Sequence, residues 1–247
     1  MGRKHEVLSL AVDSHTYQEA CDIFLNWGKA HKSAYVCFAN VHMTIEAVDH
    51  PEFADVVNGA NMVCADGMPL VKAVKFLHGE SIERLPGMDM MVSLIEEAHK
   101  QKLSIFLYGS TQNILDKIVL KVNQIYPDAK IVGAISPPFR TLTAAEEDEY
   151  CRRINESGAN FVLVALGCPK QEKWMAKHSS EIRAVLFGVG AAFPIFVNEQ
   201  KRAPLWMRKM SLEWLYRLSQ DPKRLFKRYF YTNSKFILLL VKKLFFR

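Results

Sequence analysis

The chain has 247 residues, 49% hydrophobic and 23% charged, a composition that excludes a disordered polypeptide and suffices for a sizeable core. Its formal net charge of +6 is unevenly distributed. Segment 201–247 has 13 Lys or Arg and 2 acidic residues, a net charge of +11, so the other 200 residues sum to −5. No stretch approaches about 18 consecutive apolar residues, which predicts no membrane-spanning helix.

Cysteine usage and the N-terminal sequence both favour a cytoplasmic protein. The five cysteines are odd in number, form no Cys-x-x-Cys pair and mostly lie in apolar runs. This pattern predicts buried, reduced thiols and argues against a structural zinc site. Residues 1–6 lead directly into a strand-like segment, without the hydrophobic region of a signal peptide.

Short apolar runs alternate with amphipathic segments through the first 200 residues. Strands are predicted at about 7–12, 35–39, 62–65, 104–108, 161–166 and 184–187. Helices are predicted at about 17–31, 40–49, 111–125 and 169–174, and Thr143 with Glu146 forms a capping-box pattern. The alternation predicts an α/β fold with a Rossmann-like, mainly parallel sheet and helices on both faces. We assign 1–200 to this α/β domain and 201–247 to a basic, aromatic, helical C-terminal appendage.

In parallel α/β sheets, ligands bind at the carboxyl ends of the strands, so the residues after each strand are candidates for a site. Asp66 follows such a strand and is followed by Gly67 and, two residues later, Pro69. Its carboxylate could act as a general base toward a hydroxyl held in a cleft. The alternative is a helix N-cap, because Asp is a preferred cap and Pro69 suits the first helical turn.

Two glycine-containing turns are candidates for close approach by a ligand. Gly109 and Ser110 follow a strand and open a helix, so backbone N–H groups there could bind a phosphate, although no Walker lysine follows. Gly188 and Gly190 also leave room for a ligand, but small residues equally allow tight helix–strand packing. The second turn lacks a complete Gly-x-Gly-x-x-Gly pattern because position 193 is Phe.

Polar residues also cluster after the strand predicted at 161–166. Gly167, Lys170 and Gln171 lie where a strand-end loop normally faces the ligand crevice. The neighbouring Glu172 is interpreted as ordinary first-turn helix chemistry. Arg84 precedes a rigid Pro-Gly turn, for which a plain surface loop is the alternative.

Four arginines of the appendage, Arg202, Arg217, Arg224 and Arg228, could bind a diphosphate bidentately. The last three share a helix face if the segment is one continuous helix, which Pro222 places in question. The alternative is a solvated basic face, but such faces usually mix charge signs. A basic, aromatic appendage on an acidic body predicts attachment to an anionic surface, with a membrane as first candidate and nucleic acid as second.

Taken together, these motifs resemble those of the WecG/TagA/CpsF glycosyltransferases, glycosyltransferase family 26, over about residues 5–230. The motifs that carry the resemblance are Asp66-Gly67-Met68-Pro69, Arg84-Leu85-Pro86-Gly87-Met88-Asp89, Tyr108-Gly109-Ser110, Gly167-Cys168-Pro169-Lys170-Gln171-Glu172, Gly188-Val189-Gly190-Ala191-Ala192-Phe193, Arg202-Ala203-Pro204-Leu205-Trp206, Leu212-Glu213-Trp214-Leu215-Tyr216-Arg217-Leu218 and Asp221-Pro222-Lys223-Arg224-Leu225. Singly each motif is weak, and jointly they are specific.

The resemblance implies an inverting transfer of a sugar from a UDP-sugar to an undecaprenyl-diphosphate-linked sugar. The expected setting is the inner face of the cytoplasmic membrane, in synthesis of teichoic acid, common antigen or exopolysaccharide. Carried over, Asp66 corresponds to the general base, and Asn40, Arg84 and Gln171 to further active-site positions. The appendage corresponds to a segment that closes the site, supplies Arg to the nucleotide diphosphate and contacts the membrane. Members of the family act without the Asp-x-Asp metal motif of many glycosyltransferases, and this sequence also has no Asp-x-Asp motif, so we expect no metal cofactor.

Two departures from the family pattern leave the donor sugar open. Pro194 stands where members usually have Asp, and Phe38 stands where a Thr is often found. N-acetylmannosamine, its uronic acid and glucose all remain candidate donor sugars, and a homo-oligomer is also left open. The rival interpretations are a non-enzymatic protein that binds nucleic acid or anionic lipid, and an enzyme acting on soluble nucleotide sugars. The first rival leaves Asp66, Arg84 and Gln171 without a task, so we expect no nucleic-acid partner.

Overall fold

The computed structural model describes residues 2–245 and contains an α/β fold with eight strands and twelve helices in that range. The strands are β1 (Lys4–Val7), β2 (Leu10–Asp13), β3 (Ala34–Ala39), β4 (Met62–Ala65), β5 (Ser104–Gly109), β6 (Lys130–Ile135), β7 (Phe161–Ala165) and β8 (Val185–Gly188). The helices are α1 (Tyr17–Lys29), α2 (Val41–Asp49), α3 (Pro51–Asn58), α4 (Met68–His78), α5 (Gly87–Gln101), α6 (Gln112–Ile125), α7 (Ala144–Glu156), α8 (Lys170–His178), α9 (Ala192–Phe196), α10 (Leu205–Lys209), α11 (Glu213–Gln220) and α12 (Pro222–Phe245).

Six strands form the main sheet in the order β4-β3-β8-β7-β5-β6. The pairs β3–β8, β8–β7, β7–β5 and β5–β6 are parallel, and helices connect the strands. This confirms the predicted fold class, a parallel sheet flanked by helices with a helical C-terminal segment. The predicted capping box of Thr143 and Glu146 is also confirmed, at the start of α7.

The prediction of one strand at 7–12 is wrong. The chain turns at Leu8, whose φ is +57°, so β1 and β2 pair antiparallel as a separate two-stranded sheet. The turn is hidden in the sequence because Leu8 and Ser9 carry none of the usual turn signals of Gly, Pro or Asn. The edge strand β6 was not predicted, because most of its residues are half-exposed and its apolar run is interrupted by Gly133.

The chain divides into two compact units. The first unit comprises Met1–Tyr17, Phe38–Pro86 and Lys201–Arg247, and the second comprises Gln18–Cys37 and Gly87–Gln200. In the second unit, aromatic side chains on neighbouring strands and helices form the core. Phe187 packs edge-on against Phe24 and Phe161, with ring centroids 5.1 Å and 5.9 Å apart. A Cβ at Gly28 would lie 2.1 Å from the Phe161 ring, so α1 needs glycine there to pack on the sheet.

In the first unit, the C-terminal segment packs against α2 and α4 through α12. Leu225, Thr232 and Phe236 are its buried residues. Polar contacts hold the same helix: Tyr231 donates a hydrogen bond of 2.9 Å to Asp49, which also pairs with Lys235. The segment is not one continuous helix, because α11 ends at Gln220 and α12 starts at Pro222. Arg217 therefore lies on a different helix from Arg224 and Arg228.

Candidate active site

The first unit brings the residues after β3 and β4 together. Asn40 caps α2, because its side-chain oxygen accepts a hydrogen bond of 3.1 Å from the Met43 N–H. The Asp66 N–H donates to the Ala39 carbonyl over 2.9 Å, which ties the two strand ends to each other. The Leu85 N–H donates to the Ala65 carbonyl over 2.8 Å, so the loop that carries Arg84 is fixed at the same place.

Asp66 is not a helix cap. The N-cap of α4 is Gly67, and no side chain makes a capping hydrogen bond at this helix end. The Asp66 side chain is partly buried, and it is therefore both restrained and accessible to solvent. A carboxylate at this strand end lies where ligands bind in parallel α/β sheets.

Asp66, Arg84, Glu213 and Arg217 form one charged group, the carboxylate–arginine cluster. Arg217 donates a hydrogen bond of 2.9 Å to Glu213, and Arg84 lies 3.8 Å from the other oxygen of the same carboxylate. Burial alone would lower the pKa of Arg217, but the charges of Glu213 and Asp66 and the hydrogen bond to Glu213 raise it overall. The Asp66 carboxylate is thus close enough to stabilise the charged guanidinium of α11.

The remaining arginines of the C-terminal segment have different surroundings. Arg224 is exposed and pairs with Asp221, while Arg202 is half-buried. Arg228 lies over the Tyr229 ring at 5.4 Å, and Tyr229 contacts Trp214 edge-on. Within residues 2–245, no hydrogen-bond partner reaches the buried Nε of Arg228. A guanidinium held in this way suits an anion that the protein itself does not supply.

The second unit brings Gly167, Gln171, Gly188 and Gly190 together around one amide side chain, which we call the glutamine brace. Gln171 accepts a hydrogen bond of 3.2 Å from the Gly167 N–H and donates one of 3.0 Å to the Gly188 carbonyl. It also donates to Glu172 over 2.7 Å. The buried Gln171 side chain therefore links the loop after β7 to the end of β8.

The glycines of the brace have identifiable reasons to be glycine. A Cβ at Gly188 would lie 2.7 Å from Met175 and 3.0 Å from Gln171, so any side chain there would displace the brace. Gly167 and Gly190 adopt φ of +82° and +50°, which favours glycine. Lys170 is exposed at the start of α8. The structure thus uses Gly188 and Gly190 to accommodate Gln171.

Gly109 and Ser110 serve the packing of β5 against β7. Gly109 has φ of +107°, and a Cβ there would lie 2.6 Å from the Ala165 backbone. The Ser110 N–H donates to the Ala165 carbonyl over 2.9 Å, and its own carbonyl accepts from Ser136. This N–H is already occupied, so a phosphate would have to displace an internal hydrogen bond to use it.

Two acidic residues were missed or misread in the sequence. No individual role was predicted for Glu213, yet it contacts both arginines of the cluster. Glu172, interpreted as a first-turn residue, is 0% exposed, and burial raises its pKa to about 7, against hydrogen bonds from Gln171 and Cys168 that lower it. The only sequence signal for Glu172 was its place beside Gln171, since burial of an acid cannot be read from helix periodicity alone.

The fold and these charged groups define a class: an α/β protein whose strand-end carboxylate acts electrostatically on an arginine, a residue type suited to anionic groups. Comparison with known proteins identifies the family. The chain matches the Glycosyl transferase WecG/TagA/CpsF family over residues 5–247 and belongs to it. It is therefore a glycosyltransferase.

Two relatives illustrate the similarity, and both are named N-acetylglucosaminyldiphosphoundecaprenol N-acetyl-beta-D-mannosaminyltransferase. The protein from Bacillus subtilis (strain 168) is 32% identical over 194 residues, which covers 77% of this chain and 73% of the relative. The protein from Staphylococcus aureus (strain MW2) is 27% identical over 227 residues, which covers 90% and 87%. Within the described range of 2–245, helices of the length and apolarity needed to cross a bilayer are absent.

Proposed function

We propose that this glycosyltransferase moves a sugar from a UDP-sugar to a sugar carried on a polyprenyl diphosphate, with inversion at the anomeric carbon. The observation that carries the proposal is the carboxylate–arginine cluster, in which Arg84 and Arg217 share the Glu213 carboxylate and the charge of Asp66 acts on Arg217. The names of the two relatives describe an acceptor of this lipid-linked kind and a transferred N-acetylmannosamine. We extend the acceptor class, but not the particular donor sugar, to this chain.

Asp66 is assigned the role of general base. It takes the proton of the acceptor hydroxyl as that oxygen forms a bond to the anomeric carbon. The bond from the anomeric carbon to the UDP oxygen breaks at the same time, and UDP leaves with the electron pair. Asn40 would maintain the geometry of this step, because its cap fixes the start of α2 beside Gly67.

Arg84 and Arg217 are assigned to the diphosphate of the leaving group. Both guanidinium groups now share the Glu213 carboxylate, so they are already directed to one anionic position. Charge stabilisation by preorganised donors is often a large part of catalysis, and arginine binds phosphate oxygens bidentately. We propose that these arginines, with Arg228 and the other basic residues of the appendage, perform this task without a metal cofactor.

The direct test is to incubate the full chain with a polyprenyl-diphosphate-N-acetylglucosamine acceptor and a panel of UDP-sugars in EDTA, and to measure UDP release. We expect acceptor-dependent release with one donor. Release that requires added Mg²⁺ or Mn²⁺ would contradict metal independence while retaining the reaction. Failure of every UDP-sugar both to react and to bind would contradict the proposed donor class.

We further propose that the appendage attaches the enzyme to the inner face of the cytoplasmic membrane. Phe226 and Phe230 on α12 stack on each other and are 62% and 70% exposed. Further exposed apolar residues lie on the same helix, on α10 and directly after α10: Leu205, Trp206, Met210, Ile237, Leu238, Val241 and Phe245. Interspersed Lys and Arg side chains suit anionic headgroups, whereas the aromatic rings suit the interfacial region.

Sedimentation with anionic liposomes tests this attachment. Replacing Phe226 and Phe230 together by Ser should weaken binding at least about 10-fold, because burial of each Phe in apolar surroundings contributes about 1.5–3 kcal/mol. Phe139→Ser is the matched control, because Phe139 is 88% exposed but lies outside the appendage. Equal binding by all three proteins would contradict an apolar contact through α12.

A further inference from the structure

Three potential metal ligands lie together in the second unit, on elements that the catalytic proposal does not use. They are Cys151 in α7, His178 at the end of α8 and Glu181 in the loop that follows. One ligand atom from each residue lies within 4.8 Å of the others. Cys151 and His178 are buried, whereas Glu181 is exposed, so the group opens to solvent on one side.

The imidazole of His178 is held between two carboxylates. Its Nδ1 lies 3.3 Å from Glu181, and its Nε2 lies 3.8 Å from Glu147 on α7. The residue is only 2% exposed, yet among residues 2–245 no hydrogen-bond partner reaches Nε2. The Nδ1 of His178 thus faces Glu181 of the candidate ligand group, and its Nε2 faces the Glu147 carboxylate.

The surroundings of His178 contain further buried polar atoms of the same kind. Trp174 contacts the His178 ring, with centroids 5.2 Å apart, and stacks on Tyr108 at 4.2 Å. Within the described part of the chain, Trp174 Nε1 and Tyr108 Oη are also buried without partners. Buried polar groups are normally satisfied, so three such atoms in contacting side chains make this region unusual.

We propose that Cys151, His178 and Glu181 bind a divalent transition metal of the zinc class. Thiolate, imidazole and carboxylate are all ligands that zinc accepts in tetrahedral sites. Bond lengths of about 2.0–2.2 Å to N and O give tetrahedral edges of roughly 3.3–3.5 Å, which the separation of His178 and Glu181 already matches. Either a water molecule or Glu147 supplies the fourth ligand. If the fourth ligand is water, Glu147 is instead the carboxylate that orients the imidazole.

Metal binding requires the loss of one proton. The bond between sulfur and metal forms as the S–H bond of the Cys151 thiol breaks, and the proton passes to the solvent. No oxidant or reductant is involved.

The chain topology gives this site a structural role. His178 is the last residue of α8, which precedes β8, and Cys151 lies in the middle of α7, which precedes β7. A metal here would connect the two helices that precede neighbouring strands. The sequence argued against a structural zinc site because the cysteines are odd in number, form no Cys-x-x-Cys pair and mostly lie in apolar runs. The inference does not rest on the proposed reaction.

The alternative is a plain ion-pair cluster in which a protonated His178 lies between two glutamates. This ion-pair cluster involves the same carboxylates, but the Cys151 thiol does not take part in it. The two interpretations therefore differ in whether sulfur contacts the added ion. This difference can be measured with Co²⁺, which reports a thiolate ligand through a sulfur-to-metal charge-transfer band and tetrahedral geometry through its visible absorption.

The experiment uses the full chain, stripped with chelator, dialysed and titrated with Co²⁺ and then Zn²⁺. We expect about one ion per chain, a charge-transfer band that Zn²⁺ removes, and a higher melting temperature in saturating Zn²⁺. Cys151→Ser should abolish the band, whereas Cys21→Ser, another buried cysteine in the same unit, should keep it. Glu147→Gln should weaken the affinity about 10-fold, as expected for a carboxylate that orients a ligand.

Glu181→Gln should also weaken metal binding. This substitution is the least disruptive to folding, because Glu181 lies at the surface. Circular dichroism establishes that each variant is folded. Absence of a charge-transfer band in the folded wild type would overturn the proposal. Binding that persists unchanged in both Cys151→Ser and Glu181→Gln would overturn it too, because the ion would then lie elsewhere.

Discussion

The carboxylate–arginine cluster and the glutamine brace differ in how far their polar groups are bonded to other groups of the protein. The brace is self-contained: both amide atoms of Gln171 bond to the backbone or to Glu172 inside the second unit. The cluster is open, since Asp66 and Arg217 are partly accessible and Arg84 lies 3.8 Å from Glu213. Satisfied buried networks specify structure, whereas partly accessible charges, such as Arg217 paired with Glu213 and Arg84 3.8 Å from the same carboxylate, can respond to a ligand.

The comparison teaches that residues of equal standing in a sequence motif can have different kinds of role. Asp66 and Gln171 both follow a strand and both match the family pattern. We propose that Asp66 takes part in the chemistry, whereas Gln171 is observed to connect the strand-end loops of the second unit. Variants of the two residues should differ in whether they change turnover or stability.

The largest effect should come from Asp66→Asn. Loss of the general base should lower kcat by about 10²–10⁴-fold while UDP binding and melting temperature remain close to wild type. Steady-state UDP release measures the first quantity, and calorimetry measures the others. Asp55→Asn, an exposed position of α3, controls for loss of one negative charge. Wild-type turnover in Asp66→Asn would remove this residue as the base.

Arg217→Ala should have the next largest effect on activity. Loss of charge-assisted hydrogen bonds worth about 1.5–3 kcal/mol predicts a roughly 10–100-fold decrease in kcat/KM. Arg224→Ala should be milder, because Arg224 is exposed and pairs with Asp221 at the surface. Equal losses in the two variants would show that the appendage acts through overall charge and would break the distinction drawn for the cluster.

Glu172 should reveal itself through stability and its dependence on pH. Its pKa is about 7 when folded against a usual 4.5, so the folded state holds a proton that the unfolded state releases. The contribution of Glu172 to the free energy of unfolding is fully present below about pH 4.5. It is lost as the pH rises through 7, and the total loss is about 3 kcal/mol.

Unfolding of wild type and Glu172→Gln at pH 5 and pH 8 measures this contribution. Glu172→Gln should lack most of this decrease in the free energy of unfolding at high pH. Its stability relative to wild type should therefore increase with pH. Asp116→Asn, an exposed position in the same unit, should show no such difference. A wild type and a Glu172→Gln variant with parallel pH dependence would contradict the elevated pKa.

The smallest effect should come from the surface contacts of α12. Asp49→Asn weakens the contacts with Lys235 and Tyr231, yet exposed ion pairs contribute only about 0.2–1 kcal/mol. Phe236→Ala in the same helix should cost about 3–5 kcal/mol, because Phe236 is 4% exposed. Chemical denaturation compares the two variants. A larger loss for Asp49→Asn would mean that charge, not packing, holds the helix.

Much of the fold could be predicted because local composition decides it. Continuous apolar runs marked β3, β4, β5, β7 and β8, since strands of a covered parallel sheet are buried on both faces. The hairpin of β1 and β2 and the half-exposed β6 could not be found in the same way. A turn without Gly or Pro leaves no mark in the sequence, and an edge strand has less need of apolar residues.

The sequence by itself determined the fold class, the family and the positions of Asn40, Asp66 and Arg84 after their strands or in a rigid turn. Only the tertiary structure decided that Asp66 leaves the cap of α4 to Gly67, that Glu213 contacts both Arg84 and Arg217, and that Glu172 is buried. The same holds for the group formed by Cys151, His178 and Glu181. The reason is that charge pairing and desolvation depend on neighbours distant in the chain, which no local pattern encodes.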